Sequence, residues 1–82
     1  MDRFYQLLDM TSGNLAAEFE SEEEVIESLR EVQKEDGDGP ILELALFLFE
    51  DGHPTLVAKE RDLVLYVTRA RKLDRSRAVK TA

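Results

Sequence analysis

The sequence predicts an α+β fold, in which a four-stranded antiparallel sheet with the chain order ββαββα carries two helices packed on one face. Three observations lead to this prediction. The segment Ile41–Glu50 is apolar over almost its whole length, as a buried strand is. Turn signals that contain glycine, at 11–14 and 51–54, each join two strand-like segments. A segment with apolar residues at helical spacing follows each of these hairpins.

The first hairpin is predicted from two segments around the turn at 11–14. Phe4–Met10 has apolar residues on both faces, with Phe4, Leu8 and Met10 on one and Tyr5 and Leu7 on the other. The next segment, 15–20, alternates strictly, and its apolar residues are Leu15, Ala17 and Phe19. Because its other face is polar, we expect this second strand at an edge of the sheet or over solvent.

The first helix is predicted to begin after Ser21. The Ser21 hydroxyl can accept a hydrogen bond from a free amide of the first turn, and three glutamates follow it at the positive end of the helix dipole. The expected buried stripe consists of Val25, Ile26, Leu29 and Val32. The sequence Glu35–Pro40 should end the helix, with Gly37 or Gly39 as the cap.

The second half of the chain is predicted to repeat this plan. The strand Ile41–Glu50 leads through the turn Asp51–Pro54 to a short strand, Thr55–Ala58, which begins after Pro54 because proline cannot donate to a ladder. Two interpretations are open for the next segment. A strand at 63–67 fits the local alternation, but a helix is preferred because the helical spacing continues through Leu63, Tyr66, Val67, Ala70 and Leu73. We expect one domain at 1–76 and a frayed basic C-terminal tail at 77–82.

Composition excludes several classes of protein. The chain has no cysteine, so disulfides, thiolate catalysis and cysteine-based zinc sites are excluded. No apolar run approaches the ~20 residues that span a bilayer, and the N-terminal segment lacks the pattern of a signal peptide, so we expect a cytoplasmic protein. At 82 residues the domain buries a modest share of its surface, and its stability should be marginal unless it associates.

The charge is divided unequally along the chain. Residues 1–68 hold 17 acidic and 5 basic side chains, a net charge of −12, whereas residues 69–82 hold 6 basic and 1 acidic, a net charge of +5. The basic segment could contact a polyanion such as a nucleic acid, or it could favour the negative end of a helix dipole and offset the acidic body. The candidate polyanion contacts are Arg69, Arg71, Lys72, Arg75, Arg77 and Lys80.

No catalytic constellation is found in the sequence, and neither a cofactor site nor a metal site is predicted. The single histidine, His53, lies in a turn with no second histidine to complete a metal site. Asp36–Gly39 resembles the start of a calcium loop, but Pro40 and Phe47 occupy positions where that loop needs oxygen ligands. We expect a non-enzyme. A carboxylate-only site at a dimer interface stays open, with Glu43 as the first residue to test.

The apolar character of both faces of the predicted third strand indicates association. Two helices can cover only one face of a sheet, so either choice leaves apolar side chains on the other, and Tyr5 and Leu7 of the first strand extend that open face. The candidate interface residues are Leu42, Leu44, Leu46 and Leu48 on one face and Ala45, Phe47 and Phe49 on the other, with Ile41. We expect a homodimer or a protein partner; the alternative is that the chain covers this face itself.

These features resemble those of a loose group of small uncharacterised bacterial proteins with a ββαββα plan. The resemblance spans residues 4–68 and rests on the turn Asp9 to Asn14, the strand ending in Phe19, the helix start Ser21–Glu24 and the apolar strand entering Asp51–Gly52. The helix start between strands is also similar to that of antitoxins of the HicB kind, although the strands here differ from that pattern. The resemblance assigns no functional residue. The predicted function is therefore a small non-catalytic protein-interaction or regulatory module, and the alternative is an antitoxin-like, nucleic-acid-linked regulator using the basic segment.

Overall fold

A computed structural model describes the backbone of residues 3–81 and the side chains of residues 3–70. Its elements in chain order are β1 (Arg3–Asp9), β2 (Asn14–Phe19), α1 (Glu22–Asp36), a 3-10 turn (Ile41–Glu43), β3 (Leu44–Glu50), β4 (His53–Lys59) and α2 (Glu60–Thr81). The four strands form one sheet in the order β2-β1-β3-β4, and all neighbours are antiparallel. The predicted α+β fold with a four-stranded antiparallel sheet is confirmed.

The hydrophobic core lies between the helices and one face of the sheet. Both helices contribute to it, so both cover the same face, as predicted. Its buried members are Tyr5 and Leu7 of β1, Val25 and Leu29 of α1, Ile41 of the 3-10 turn, Leu46 of β3, Ala58 of β4, and Leu63 and Val67 of α2.

Each edge strand contains a β-bulge that changes which side chains face the core. Leu7 pairs with Ala17 but Leu8 pairs with Leu15, so Ala16 is an extra residue in β2. Beyond this bulge Leu15 lies on the opposite face from Ala17 and Phe19. The prediction that these three residues share one face was therefore wrong for Leu15, whereas the edge position of β2 is as expected.

The first helix begins and ends as the sequence predicts. The Ser21 hydroxyl accepts a hydrogen bond from the Glu24 amide at 3.3 Å. At the other end Gly37 has φ +77°, a backbone conformation that glycine adopts without steric cost, and its N–H donates to the Gln33 carbonyl at 2.9 Å. Three of the four predicted apolar residues, Val25, Ile26 and Leu29, are buried, and Val32 is half-buried.

The third strand is shorter than predicted, because Ile41–Glu43 forms a 3-10 turn rather than the start of the strand. Pro40 adopts helical backbone angles, and the Glu43 amide donates to its carbonyl at 3.3 Å. The turn directs Ile41 into the core with no exposed surface, while Leu42 and Glu43 are exposed. Within one chain Glu43 is therefore exposed, and the hypothesis of a carboxylate-only site at a dimer interface stays a prediction.

The fourth strand starts earlier than predicted, at His53 rather than after Pro54. Asp51 and Gly52, with φ of +52° and +83°, form the two-residue turn, and Glu50 pairs directly with His53. Pro54 is tolerated in the ladder because β4 is an edge strand, and in antiparallel pairing alternate residues direct their amides away from the neighbouring strand.

The segment after β4 is a helix, so the preferred interpretation is correct and a strand at 63–67 is excluded. Helix α2 follows β4 without a loop and ends at Thr81. The predicted fraying of residues 77–82 stays a prediction. Glu60 makes this junction with φ +53°, which is uncommon for a residue other than glycine.

Candidate functional site

One face of the sheet carries no packed helix among the described residues, and its side chains are mostly apolar. We call it the open sheet face. Strand register assigns it seven apolar members: Phe4 and Leu8 of β1, Leu15 of β2, Ala45, Phe47 and Phe49 of β3, and Leu56 of β4.

The two central strands form the middle of the open sheet face. Phe4 lies opposite Phe49, and Leu8 lies opposite Ala45. The phenyl rings of Phe4 and Phe49 are stacked, with centroids 5.1 Å apart and planes 1° from parallel. Ala45 is almost completely buried, although it is not a member of the core cluster on the other face. Gln6 lies opposite Phe47 on the same face, so one polar side chain separates Phe4 from Leu8, and the apolar side chains run around it along β3.

The edge strands extend this surface and leave large apolar groups in solvent. Leu15 retains 52% of its accessible surface and Leu56 retains 46%. Leu56 pairs with Phe47, and Leu15 pairs with Leu8. Leu15 and Leu56 therefore lie next to apolar residues of the central strands. A contiguous apolar patch of this kind on a small domain is typical of an interaction site.

The two edges of the open sheet face carry opposite charges. On β2 the exposed Glu18 accepts a hydrogen bond from the Gln6 amide nitrogen at 3.2 Å, beside the centre of the face. On β4 the exposed Lys59 pairs with Ala45 and therefore points to the same side of the sheet. The patch therefore has an acidic side chain, Glu18, at one edge and a basic side chain, Lys59, at the other.

The structure separates the candidate interface residues that the sequence could not assign to a face. Ala45, Phe47 and Phe49 lie on the open sheet face. Leu44, Leu46 and Leu48 lie on the core face, where Leu46 has no exposed surface. Leu42 lies outside the sheet in the 3-10 turn.

The expectation that Tyr5 and Leu7 of β1 lie on the open sheet face was wrong. Tyr5 and Leu7 are core residues, and the open side of β1 carries Phe4 and Leu8 instead. Gln6, which lies between Phe4 and Leu8 in the alternation of β1, could have indicated which face is open, because a polar residue inside a strand favours the solvent side. Leu56 was missed because the bulge at Val57 shifts the register of β4.

A second feature lies on the helical side of the domain. We call it the interhelical cleft; it has a volume of about 410 Å³ and is lined by Glu22 and Ile26 of α1, Val57 and Ala58 of β4, and Asp62, Leu65, Tyr66, Arg69 and Ala70 of α2. The Tyr66 hydroxyl donates a hydrogen bond to Glu22 Oε2 at 2.5 Å and joins the two helices. Burial raises the pKa of Tyr66, and the hydrogen bond and negative charge of Glu22 raise it further, so the hydroxyl stays protonated at neutral pH.

Of the other predicted residues, the structure places one, Arg69, in the lining of the interhelical cleft. Of the candidate polyanion contacts Arg69 is exposed, and the side chains of Arg71, Lys72, Arg75, Arg77 and Lys80 lie outside the described residues. His53 is exposed on the edge strand. Among the side chains of 3–70, no group of three or more histidine, aspartate or glutamate residues could hold a metal ion.

Comparison of the chain with protein families, curated proteins and solved structures found no match. Within the described part of the chain, neither helix is long and apolar enough to cross a membrane. The fold and the site define a class: a two-layer α+β domain whose helices cover one face of an antiparallel sheet and whose other face is open and apolar.

Proposed function

We propose that this protein is a non-catalytic interaction module that forms a homodimer through the open sheet face. The observation that supports the proposal most strongly is that strand register places seven apolar side chains, from all four strands, on that one face. Covering such a surface removes apolar area from water, at about 25 cal/mol for each Å² buried.

A second copy of the chain suits this surface because the edge charges are complementary under two-fold symmetry. An axis parallel to the strands places the β2 edge of one copy over the β4 edge of the other. Glu18 then faces Lys59 of the second copy, and the two lie within about 7 Å along the strands, since their paired residues are two positions apart. An axis across the strands would place each edge over itself and bring like charges together.

The size of the face sets the expected strength of the dimer. Four strands about 4.8 Å apart, each of about seven residues rising about 3.4 Å, give a footprint of about 450 Å² in each copy, or about 900 Å² in total. Stable interfaces bury about 1,200 Å² or more. We therefore expect reversible association with a Kd in the micromolar range or weaker rather than a permanent dimer.

The test is the solution mass of the full chain, measured by sedimentation equilibrium over a concentration series. We expect a monomer–dimer equilibrium for the natural chain and a monomer for Phe47→Glu, which places a charge at the centre of the face. Leu42→Glu is the matched control, because Leu42 is 43% exposed but lies outside the sheet, and it should leave the equilibrium unchanged. Circular dichroism would verify that both variants stay folded.

Charge reversal tests the orientation of the two copies. Lys59→Glu alone and Glu18→Lys alone should each weaken the dimer, and the double variant should restore it. A natural chain that stays monomeric at every concentration, or an equal loss of dimer in Leu42→Glu and Phe47→Glu, would contradict the proposal.

A further inference from the structure

We propose that the interhelical cleft binds a small organic cation, namely a primary amine carried on an apolar group. The cleft lies on the helical side of the sheet, opposite the open sheet face, so this inference is independent of the proposed dimer. It is carried by three properties of the cleft: its size, its apolar lining and the arrangement of hydrogen-bond acceptors around it.

The size and lining of the cleft suit the apolar part of such a ligand. Its volume of about 410 Å³ lies in the range typical of small-molecule sites. Ile26 and Val57 contribute apolar surface from α1 and β4, and Val57 is the extra residue of the β4 bulge. Leu65 stands at the cleft with 45% of its surface exposed. An apolar ligand group would remove this surface from water.

The polar groups of the cleft favour an ammonium ion. Glu22 and Asp62 bring two carboxylates and Arg69 brings one guanidinium, so the formal charge of the lining is −1. Glu22 Oε2 accepts from the Tyr66 hydroxyl, which leaves Oε1 of Glu22 and the lone pairs of the Tyr66 oxygen as acceptors. An ammonium group supplies only donors, so it matches these acceptors, whereas a carboxylate ligand would meet two like charges against the one opposite charge of Arg69.

The probe for this site is 2-phenylethylamine, titrated into the isotopically labelled full chain and followed by amide chemical shifts in two-dimensional NMR. The titration is made in the Phe47→Glu variant, which removes the proposed dimer interface. A failure to bind the amine in this variant therefore counts against the cleft and not against the dimer. We expect saturable shifts at the amides of Ile26, Val57 and Leu65. The neutral isostere 2-phenylethanol should bind at least about tenfold more weakly, because hydrogen bonds to a charged group contribute more than neutral ones. The anion 3-phenylpropanoate should also bind more weakly than the amine, because the lining carries two carboxylates and only one guanidinium.

Two substitutions test the role of charge without changing shape. Glu22→Gln keeps an oxygen that can accept a hydrogen bond from Tyr66, and Asp62→Asn keeps the shape of the side chain. Each substitution should lower the affinity for 2-phenylethylamine by about fivefold to tenfold. Glu31→Gln is the control, because Glu31 is exposed on α1 and lies outside the cleft. This variant should bind 2-phenylethylamine with the same affinity as the Phe47→Glu parent. Equal affinity for 2-phenylethanol, shifts confined to residues outside the cleft, or equal weakening in Glu31→Gln would overturn the proposal.

Discussion

Phe4 and Phe49 face each other across β1 and β3 on the open sheet face, with parallel rings and centroids 5.1 Å apart. A 1° angle at this separation is offset stacking, the arrangement in which the negative face of one ring avoids that of the other. Because the two rings lie on the side of the sheet away from both helices, their contact stabilises the pairing of the central strands independently of the core.

The stacked pair should show measurable coupling. We expect Phe4→Ala and Phe49→Ala, measured singly and together by urea unfolding at concentrations where the chain is monomeric, to give a coupling free energy of about 0.5–1.5 kcal/mol. A cycle of Phe4→Ala with Leu56→Ala is the control. Leu56 lies on β4, separated from β1 by β3, and should give coupling near zero. Equal coupling in the two cycles would contradict a direct ring contact.

The Tyr66–Glu22 bond should be visible in the alkaline titration of Tyr66. Burial is the largest cause of its raised pKa and Glu22 adds to it, so Glu22→Gln should lower the pKa of Tyr66 without returning it to the ordinary value of about 10. The measurement is tyrosinate absorbance against pH, with Tyr66→Phe subtracted to remove the signal of Tyr5. An unchanged titration in Glu22→Gln would show that the hydrogen bond is not formed in solution.

The same group makes stability depend on pH in the alkaline range. The folded-state pKa is above the unfolded value, so the contribution of Tyr66 is fully present below pH about 10 and is lost as pH rises from there toward the folded-state pKa. The free energy of unfolding of the natural chain minus that of Tyr66→Phe should therefore be constant from about pH 7 to 9 and fall above about pH 10. A difference that is flat through pH about 11 would contradict this account.

Removing the cap of α1 should destabilise the domain. Ser21→Ala deletes the acceptor for the Glu24 amide and should lower the free energy of unfolding by about 1 kcal/mol. Ser28→Ala is the matched control: Ser28 lies inside α1, where alanine is the better helix former, so this change should be neutral or slightly stabilising. Thermal or urea unfolding measures the free energy of unfolding of the two variants. An equal change in that free energy for Ser21→Ala and Ser28→Ala would argue against the cap.

The junction between β4 and α2 stores backbone strain at Glu60. With φ +53°, Glu60 occupies a region that costs other residues about 1 kcal/mol relative to glycine, so Glu60→Gly should raise the free energy of unfolding by up to about 1 kcal/mol. The adjacent Arg61→Gly is the control, because it places glycine within the helix and should lower the free energy by about 0.5–1 kcal/mol. Changes of the same sign in both variants would refute the strain at Glu60.

Features that depend on nearest neighbours could be predicted from the sequence. The order of strands and helices, the Ser21 cap, the Gly37 end of α1 and the turn at Asp51–Gly52 each follow from a few adjacent residues, because capping and turn chemistry act over three or four positions. The open sheet face could be predicted only in part. Ala45, Phe47 and Phe49 were candidates, but so were the leucines of the core face, since β3 is apolar on both sides.

The sequence by itself therefore determined the order of the strands and helices, and that both faces of the third strand are apolar. The tertiary structure alone decided where β3 and β4 begin and which apolar face the helices leave open. Leu46 rather than Phe47 enters the core because β1 places Leu7 opposite Leu46 and Gln6 opposite Phe47, and because the bulges in β2 and β4 adjust the edge strands to this register. Pairing between strands distant in sequence sets the face of every residue, and a shift of one position reverses it.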